Sequence, residues 1–222
     1  MKKICFLVFL GVYSFHLHAQ NSIGIDAGYI RTHTSVAEYI RTGRSTSLLD
    51  SVALSPDLGS FQAAFRVSID LGKRFFFSPG FHYARKGLKK VSFNDSINYY
   101  VDAIQHYAGF SLMTGYQFDF KKSRFGIFLE TGPLIDFAVG KPNNGSLFSG
   151  SQNRIFMPFT RYNEVDFSWT IEAGPTYKIG PGKAMVRLTY RYGLSDVLED
   201  TFIIGRSSSF GISAGYSMNL GK

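Results

Sequence analysis

The chain has 222 residues, a formal net charge of +8 at pH 7, 45% hydrophobic residues and a mean hydropathy of −0.02. This length fits one domain, and beyond the first twenty residues no stretch reaches the roughly 18 apolar residues that a membrane helix needs. These properties exclude a helical membrane protein. They do not exclude a membrane protein built from strands, because the polar residues that alternate with apolar ones lower the mean hydropathy of a membrane strand.

The first 19 residues have the features of a secretory signal peptide. The basic pair Lys2 and Lys3 precedes a short apolar run, and Leu17-His18-Ala19 forms a cleavage site. We therefore expect residues 1–19 to be removed on export and residues 20–222 to form one mature domain. The only cysteine of the chain lies in the signal peptide, so the mature domain is expected to have no disulfide.

Eight later stretches alternate apolar residues with polar or small ones. This period of two is typical of β-strands, in which successive side chains point to opposite faces. In the last stretch, for example, Phe210, Ile212 and Ala214 share one face, while Gly211 and Ser213 share the other. The predicted strands are 22–31, 60–70, 75–86, 104–119, 125–138, 166–178, 184–195 and 207–220.

Short connections alternate with long ones along the chain. Short turns at one end and long loops at the other are typical of outer-membrane barrels, with the turns in the periplasm and the loops outside. We therefore predict an all-β fold, an eight-stranded antiparallel up-and-down transmembrane β-barrel. The short connections are 71–74, 120–124 and 179–183, and the long ones are about 32–59, 87–103, 139–165 and 196–206.

The polar face of the predicted strands carries many glycines and few charges for a surface in water. Glycine in a strand marks the close approach of neighbouring groups, which favours a crowded lumen over a solvated exterior. The apolar face is therefore predicted to meet lipid. The alternative is a soluble barrel with its apolar face inside, such as a periplasmic lipocalin-like binder.

Several short motifs follow one another along these strands. They include Phe77-Ser-Pro-Gly-Phe-His-Tyr-Ala-Arg-Lys-Gly87, two copies of Glu-x-Gly-Pro at 130–133 and 172–175, and Tyr190-Arg-Tyr-Gly-Leu-Ser-Asp196. With the C-terminal segment 215–220, they resemble in order and spacing the outer-membrane β-barrel family common in Bacteroidota, called porin-like or PorT-like. The resemblance implies an integral outer-membrane barrel, and one branch of that family supports a protein-secretion pathway.

The polar face also places charged side chains in the predicted lumen. An eight-stranded barrel is just wide enough for side chains to fill, and a buried charge is costly unless it is paired. We therefore predict a charge network that plugs the lumen, while a gated path for a small solute is the alternative. The network is predicted to contain Asp26, Arg66, Asp70, Glu130, Glu172, Arg187 and Arg191, with Arg85, Asp136 and Lys178 on the same face.

Four cations cluster where the third predicted strand ends, at Arg85, Lys86, Lys89 and Lys90. Arginine and lysine bind phosphate groups well, so this cluster predicts contact with the phosphates of lipopolysaccharide. A solvated base of the loop is the alternative. Lipid phosphate also accounts for the basic charge better than nucleic acid, which an exported chain does not usually meet.

The sequence shows no pattern that is diagnostic of catalysis. His33, His82 and His106 could lie near the outer rim, as in barrels that modify lipid A, but no nucleophile has a matching spacing. No set of His, Asp and Glu has the spacing of metal ligands, and we expect no cofactor. The predicted role is non-catalytic, as an envelope or accessory component that meets protein partners through extracellular loops. A small-solute channel and a lipid A-modifying enzyme are the alternatives.

Overall fold

The computed structural model describes most of the chain outside the long connections. The predicted signal peptide, Lys89 and Lys90 lie outside the described residues. Within them, no helix combines the length and the apolar character that a membrane crossing requires. The described residues are 21–38, 58–88, 91–93, 97–100, 103–121, 123–140, 148–149, 163–195 and 203–220.

The described segments form eleven strands. They are β1 (Ser22–Glu38), β2 (Leu58–Gly72), β3 (Phe75–Leu88), β4 (Val91–Phe93), β5 (Ile97–Tyr100), β6 (Ala103–Asp119), β7 (Phe125–Val139), β8 (Phe148–Ser149), β9 (Val165–Ile179), β10 (Gly182–Gly193) and β11 (Ile203–Asn219).

Eight long strands close into an antiparallel barrel in the order β1-β2-β3-β6-β7-β9-β10-β11, and β11 pairs with β1. The predicted eight-stranded antiparallel barrel is confirmed, and each predicted strand overlaps one of these eight. The first long connection begins later than predicted, because β1 stays paired with β11 as far as Glu38 and Ile203. The short connections share one end of the barrel with Ser22 and Asn219, and we call this the turn end. We call the opposite end the loop end.

The other three strands form a small separate sheet in which β4 pairs with β5 and β5 pairs with β8. Since β4 and β5 lie between β3 and β6 in the chain, and β8 lies between β7 and β9, this sheet joins two long connections. Both connections were predicted to be loops. Strands of two to four residues are too short to show an alternation that distinguishes them from loops.

Side chains of the barrel strands alternate between the lumen and the outer surface. In β7, Phe125, Ile127 and Leu129 are exposed, while Phe128 and Glu130 are buried. Large apolar side chains are exposed in the same way on all eight barrel strands. A continuous apolar surface of this size does not suit water, so the outer face meets lipid. The soluble-barrel alternative is therefore wrong.

The two Glu-x-Gly-Pro motifs interrupt the hydrogen-bonded ladder. Pairing between β6 and β7 omits 132–133, and pairing between β9 and β10 omits 174–175. Proline has no N–H to donate. The preceding glycine leaves room for the neighbouring strand, because a Cβ on Gly174 would overlap the carbonyl oxygen of Val186. Each motif therefore requires glycine at the lumen-facing position beside an irregular stretch of wall.

We predict that Gly174→Val destabilises the barrel by about 1–3 kcal/mol, the usual cost of overpacking. The matched control is Ala173→Val, in which the added methyl groups point to lipid. Urea unfolding in phospholipid vesicles, followed by fluorescence of the single tryptophan Trp169, measures both variants. Equal stability of the two variants would contradict the close approach at Gly174.

Candidate functional site

The middle of the lumen holds five charged side chains that we call the central network: Asp26, Arg66, Glu130, Glu172 and Arg187. Each is at most 7% exposed. Glu130 on β7 and Glu172 on β9 are direct cross-strand partners, so two carboxylates meet side by side. Like charges in this position repel each other, and the pair therefore requires cations from the other strands.

Two arginines supply this positive charge from opposite sides of the carboxylate pair. Arg66 on β2 donates from Nη2 to Glu172 Oε1 at 2.9 Å, and its Nη1 lies 3.5 Å from Glu130 Oε1. Arg187 on β10 donates from Nη1 to Glu172 Oε2 at 3.0 Å and also to Glu130 Oε1. Each arginine therefore contacts both glutamates, and the network connects strands across the whole lumen.

Asp26 on β1 completes the central network. Arg66 Nε donates to Asp26 Oδ2 at 3.2 Å, and Arg187 Nε lies 3.6 Å from the same oxygen. The hydroxyl of Ser213 donates to Asp26 Oδ1 at 3.2 Å. The ring of Phe128 lies against Arg187, with Cζ 4.7 Å from the ring centroid, in a cation–π contact. The network is thus packed as well as paired.

A second cluster lies nearer the loop end, and we call it the loop-side network: His82, Lys86, Asp136 and Asp166. Lys86 Nζ donates to Asp136 Oδ2 at 2.6 Å and to Asp166 Oδ2 at 2.5 Å. His82 Nε2 lies 2.5 Å from Asp136 Oδ1, and Ser195 Oγ donates to Asp166 Oδ1 at 2.7 Å. All four side chains of this network are buried.

The position of Lys86 corrects the prediction of a four-residue phosphate cluster. Because β3 continues to Leu88, neighbouring side chains alternate, and Lys86 points into the lumen while Arg85 points outward. The prediction that Arg85 faces the lumen is wrong for the same reason. Lys89 and Lys90 lie outside the described residues, so Arg85 alone of the predicted cluster is found on the outer face.

Two residues predicted for the lumen lie instead at the turn end. Asp70 is exposed, and its Oδ1 accepts a hydrogen bond from the backbone N–H of Gly72 at 2.7 Å, within the β2–β3 turn. Lys178 is also exposed and pairs with Asp119 at 3.1 Å. Both stand near strand ends, where the mouth of the barrel admits water. The prediction that Asp70 belongs to the network is therefore wrong.

Arg191 lies in the lumen as predicted, at 4% exposure, but it does not join a carboxylate directly. Its Nη2 donates to Gln62 Oε1 at 3.1 Å, and within the described residues its Nε and Nη1 have no hydrogen-bond partner. It lies in the same narrow lumen as the two networks, and its positive charge helps to balance their five carboxylates.

Asp166 and the lumen position of His82 were not predicted from the sequence. Asp166 lies on the same face of β9 as Ser168, Thr170 and Glu172, and the alternation of the sequence was sufficient to predict its position in the lumen. Alternation does not predict its pairing with Lys86, because β3 and β9 are not neighbours in the barrel. In the part of the chain that the structure describes, no group of His, Cys, Asp or Glu is arranged to hold a metal ion.

The turn end of the lumen opens into a cavity of about 460 Å³. Arg74, Lys178 and Lys183 lie along its wall, while Arg187 and Phe128 bound it on the side of the central network. Water can enter this cavity from the turn end. The central network lies beyond it, and its ion pairs connect β1 and β2 with β7, β9 and β10.

Residues 18–199 match the family model described as an outer membrane protein beta-barrel domain. The chain belongs to this family. This outer-membrane barrel is therefore a protein of the Gram-negative outer membrane. In such barrels the short turns face the periplasm and the long loops lie outside. No curated protein sequence matches the chain.

Several solved structures have a similar fold. Neisserial surface protein A has 14% identity over 91% of this chain and 99% of its own, with a TM-score of 0.50. The N-terminal β-barrel domain of Pseudomonas aeruginosa OprF has 13% identity over 90% of this chain and 100% of its own, with a TM-score of 0.42. Yersinia pestis Ail has 14% identity over 90% and 99%, with a TM-score of 0.41. Likeness at these identities concerns the fold alone.

We predict that Arg187→Met lowers the free energy of unfolding by about 3–5 kcal/mol, because it leaves buried carboxylates without their cation. The control is Lys178→Met, which breaks an exposed ion pair and is expected to cost less than about 1 kcal/mol. Urea titration in vesicles measures both. A loss in Arg187→Met no larger than that of the control would contradict the assigned contacts.

Proposed function

We propose that this barrel is a non-conducting, non-catalytic component of the outer membrane that acts through its outer surface and its extracellular loops. The observation that carries the proposal is the set of buried ion pairs that connects strands across the lumen. Opening a path would separate Arg66 and Arg187 from Glu130 and Glu172. Breaking a buried pair in this way costs about 3–5 kcal/mol, so the closed lumen is the stable state.

The carboxylates of the lumen are ion-paired, and this supports a non-catalytic role. Within the described residues, every carboxylate of the central and loop-side networks has a cation within 4 Å. A general acid or base has to reach the group whose proton it transfers. These side chains are buried among others in the lumen and do not face a substrate-sized opening. A lipid A-modifying enzyme is therefore the less favoured alternative.

We also infer that the chain belongs to the porin-like or PorT-like family of outer-membrane barrels common in Bacteroidota. The two Glu-x-Gly-Pro motifs support this assignment, because they lie side by side on β7 and β9 and bring Glu130 against Glu172. An accessory role, in secretion or elsewhere in the envelope, requires contacts with other proteins. With the lumen filled, the extracellular loops are the parts of the barrel that offer such contacts to partners outside the cell.

One observation favours a second function, a small-solute channel. The cavity at the turn end brings water as far as Arg187, and a channel could use the central network as its gate. The two functions differ in a property that is measured directly, the conductance of the purified barrel.

In a planar bilayer we expect the wild-type barrel to show no stable open state. The double variant Phe128→Ala/Arg187→Ala removes the ring and the guanidinium that bound the cavity, and it should conduct if it folds. Lys178→Ala, at the mouth, serves as the control and should stay closed. Stable ohmic steps on the order of a nanosiemens in the wild type, as from a water-filled barrel, would favour the channel and contradict the proposed function.

A further inference from the structure

The mouth of the cavity at the turn end carries more positive than negative charge. Lys178 near the end of β9 and Lys183 near the start of β10 are direct cross-strand partners, and both lie along the cavity wall. Two like charges in this position repel each other. Arg74, in the turn between β2 and β3, adds a third cation to the same wall. The mouth therefore requires negative charge.

The carboxylate nearest to the lysine pair neutralises only one of the two lysines. Asp119 Oδ2 accepts a hydrogen bond from Lys178 Nζ at 3.1 Å, and Asp119 Oδ1 accepts one from Gln117 Nε2 at 3.1 Å. Both oxygens of Asp119 are therefore engaged. The ammonium group of Lys183 forms no ion pair or hydrogen bond with the residues that the structure describes.

The turn between β2 and β3 holds Arg74 in a conformation that arginine rarely adopts. Its φ is 76°, in the left-handed region that favours glycine. The backbone N–H of Gln117 donates to the carbonyl oxygen of Arg74 at 2.9 Å, and Asp70 accepts from the N–H of Gly72 within the turn. These contacts fix the backbone of Arg74 beside β6. Its guanidinium has no ion-pair partner in the described part of the chain.

The depth of the cavity, by contrast, is apolar. The ring of Phe128 packs against the guanidinium of Arg187, and Met185 Sδ lies 3.0 Å from Arg187 Nη2. Phe128 and Met185 both belong to the cavity wall, so they lie between the open space and the central network. The charge of Arg187 is already engaged by the glutamates of that network.

Phe76 on β3 extends this apolar wall across the lumen. Its ring lies over Gly115, the cross-strand partner of Glu130, and a Cβ on Gly115 would overlap the tip of the ring. Water inside a protein needs two to four polar partners. Two aromatic rings and a thioether offer few, so the depth of the cavity suits an apolar group better than water.

The charge at the mouth and the apolar depth together fit one class of ligand. The volume of about 460 Å³ lies within the range of roughly 300–1,000 Å³ that is usual for small-molecule sites. Three cations and two carboxylates at the mouth leave an excess of one positive charge. A monovalent anion with an apolar chain balances this charge and covers the apolar wall.

We infer that the cavity at the turn end binds an amphipathic carboxylate, such as a medium-chain fatty acid. Its chain lies against Phe76, Phe128 and Met185, and its carboxylate contacts Lys183 and Arg74. The turn end faces the periplasm in outer-membrane barrels, so the ligand enters from that side. The inference rests on the cavity and not on the proposed function.

The test is the affinity of the barrel for octanoate, measured by calorimetric titration in nanodiscs of zwitterionic phospholipid with the heat from empty nanodiscs subtracted. We expect one saturable site, with at least about ten-fold weaker binding of acetate, which lacks the chain, and of octanol, which lacks the charge. Arg74→Gln/Lys183→Gln should weaken octanoate binding at least about ten-fold, because it removes charged hydrogen-bond donors. The affinity of this variant for octanol should be unchanged.

The matched control is Lys73→Gln/Lys121→Gln, which removes the same charge from the turn end but outside the cavity wall. It should bind octanoate as the wild type does. Met185→Gln places a polar group in the depth and should weaken octanoate and octanol alike. Only protein that shows the heat-modifiable gel migration of a folded barrel is compared. No saturable octanoate binding by the wild type, an unchanged affinity in Arg74→Gln/Lys183→Gln, or an equal loss in the control would overturn the site.

The conductance of the wild type separates this inference from the proposed function. Stable open steps in a planar bilayer, together with saturable octanoate binding, would contradict the non-conducting role and leave the site standing. A wild type that stays closed and does not bind octanoate would do the reverse.

Discussion

The contact between Glu130 and Glu172 is the constraint on which the rest of the lumen depends. The strand register places two carboxylates next to each other inside the wall, where neither reaches bulk water. Such a pair is stable only if cations reach it from elsewhere in the barrel. Arg66 and Arg187 do so from β2 and β10, and each of them contacts both glutamates. The arrangement of the side chains in the lumen therefore follows from the repulsion between the two glutamates, which the arginines neutralise.

Because charged side chains occupy the lumen, we expect the function of the barrel to depend on its outer surfaces. Two networks, one central and one nearer the loops, use the charged side chains to connect distant strands. What remains available to partners is the apolar exterior, the rim at the loop end and the connections beyond it. The exterior is not uniform, because Arg31, Arg85 and Arg206 lie on the outward face of β1, β3 and β11, while β7, β9 and β10 carry aromatic and aliphatic residues on theirs.

Much of the fold was predictable from sequence, because one periodicity determines both the strands and their faces. The same periodicity predicted Arg66, Glu130 and Arg187 as lumen residues. It also explains the errors. Consecutive residues of a strand lie on opposite faces. The predicted phosphate cluster placed Arg85 and Lys86 together at the base of a loop, and it was therefore wrong about Lys86.

Other features depend on geometry that alternation does not contain. Asp70 has an inward parity, but it lies so near the turn end that its carboxylate is in solvent. The ion pair of Lys86 with Asp166 joins strands that are not adjacent, so it depends on the closure and the register of the whole barrel.

A double-mutant cycle between Arg66 and Glu172 tests the central network most directly. The free energies of unfolding of Arg66→Met, Glu172→Gln and the combined variant are measured in vesicles against the wild type. If the two side chains stabilise each other, the effects are not additive, and the coupling should reach about 1–3 kcal/mol. A coupling within about 0.5 kcal/mol of zero, the range of independent sites, would contradict the claim that this contact closes the lumen.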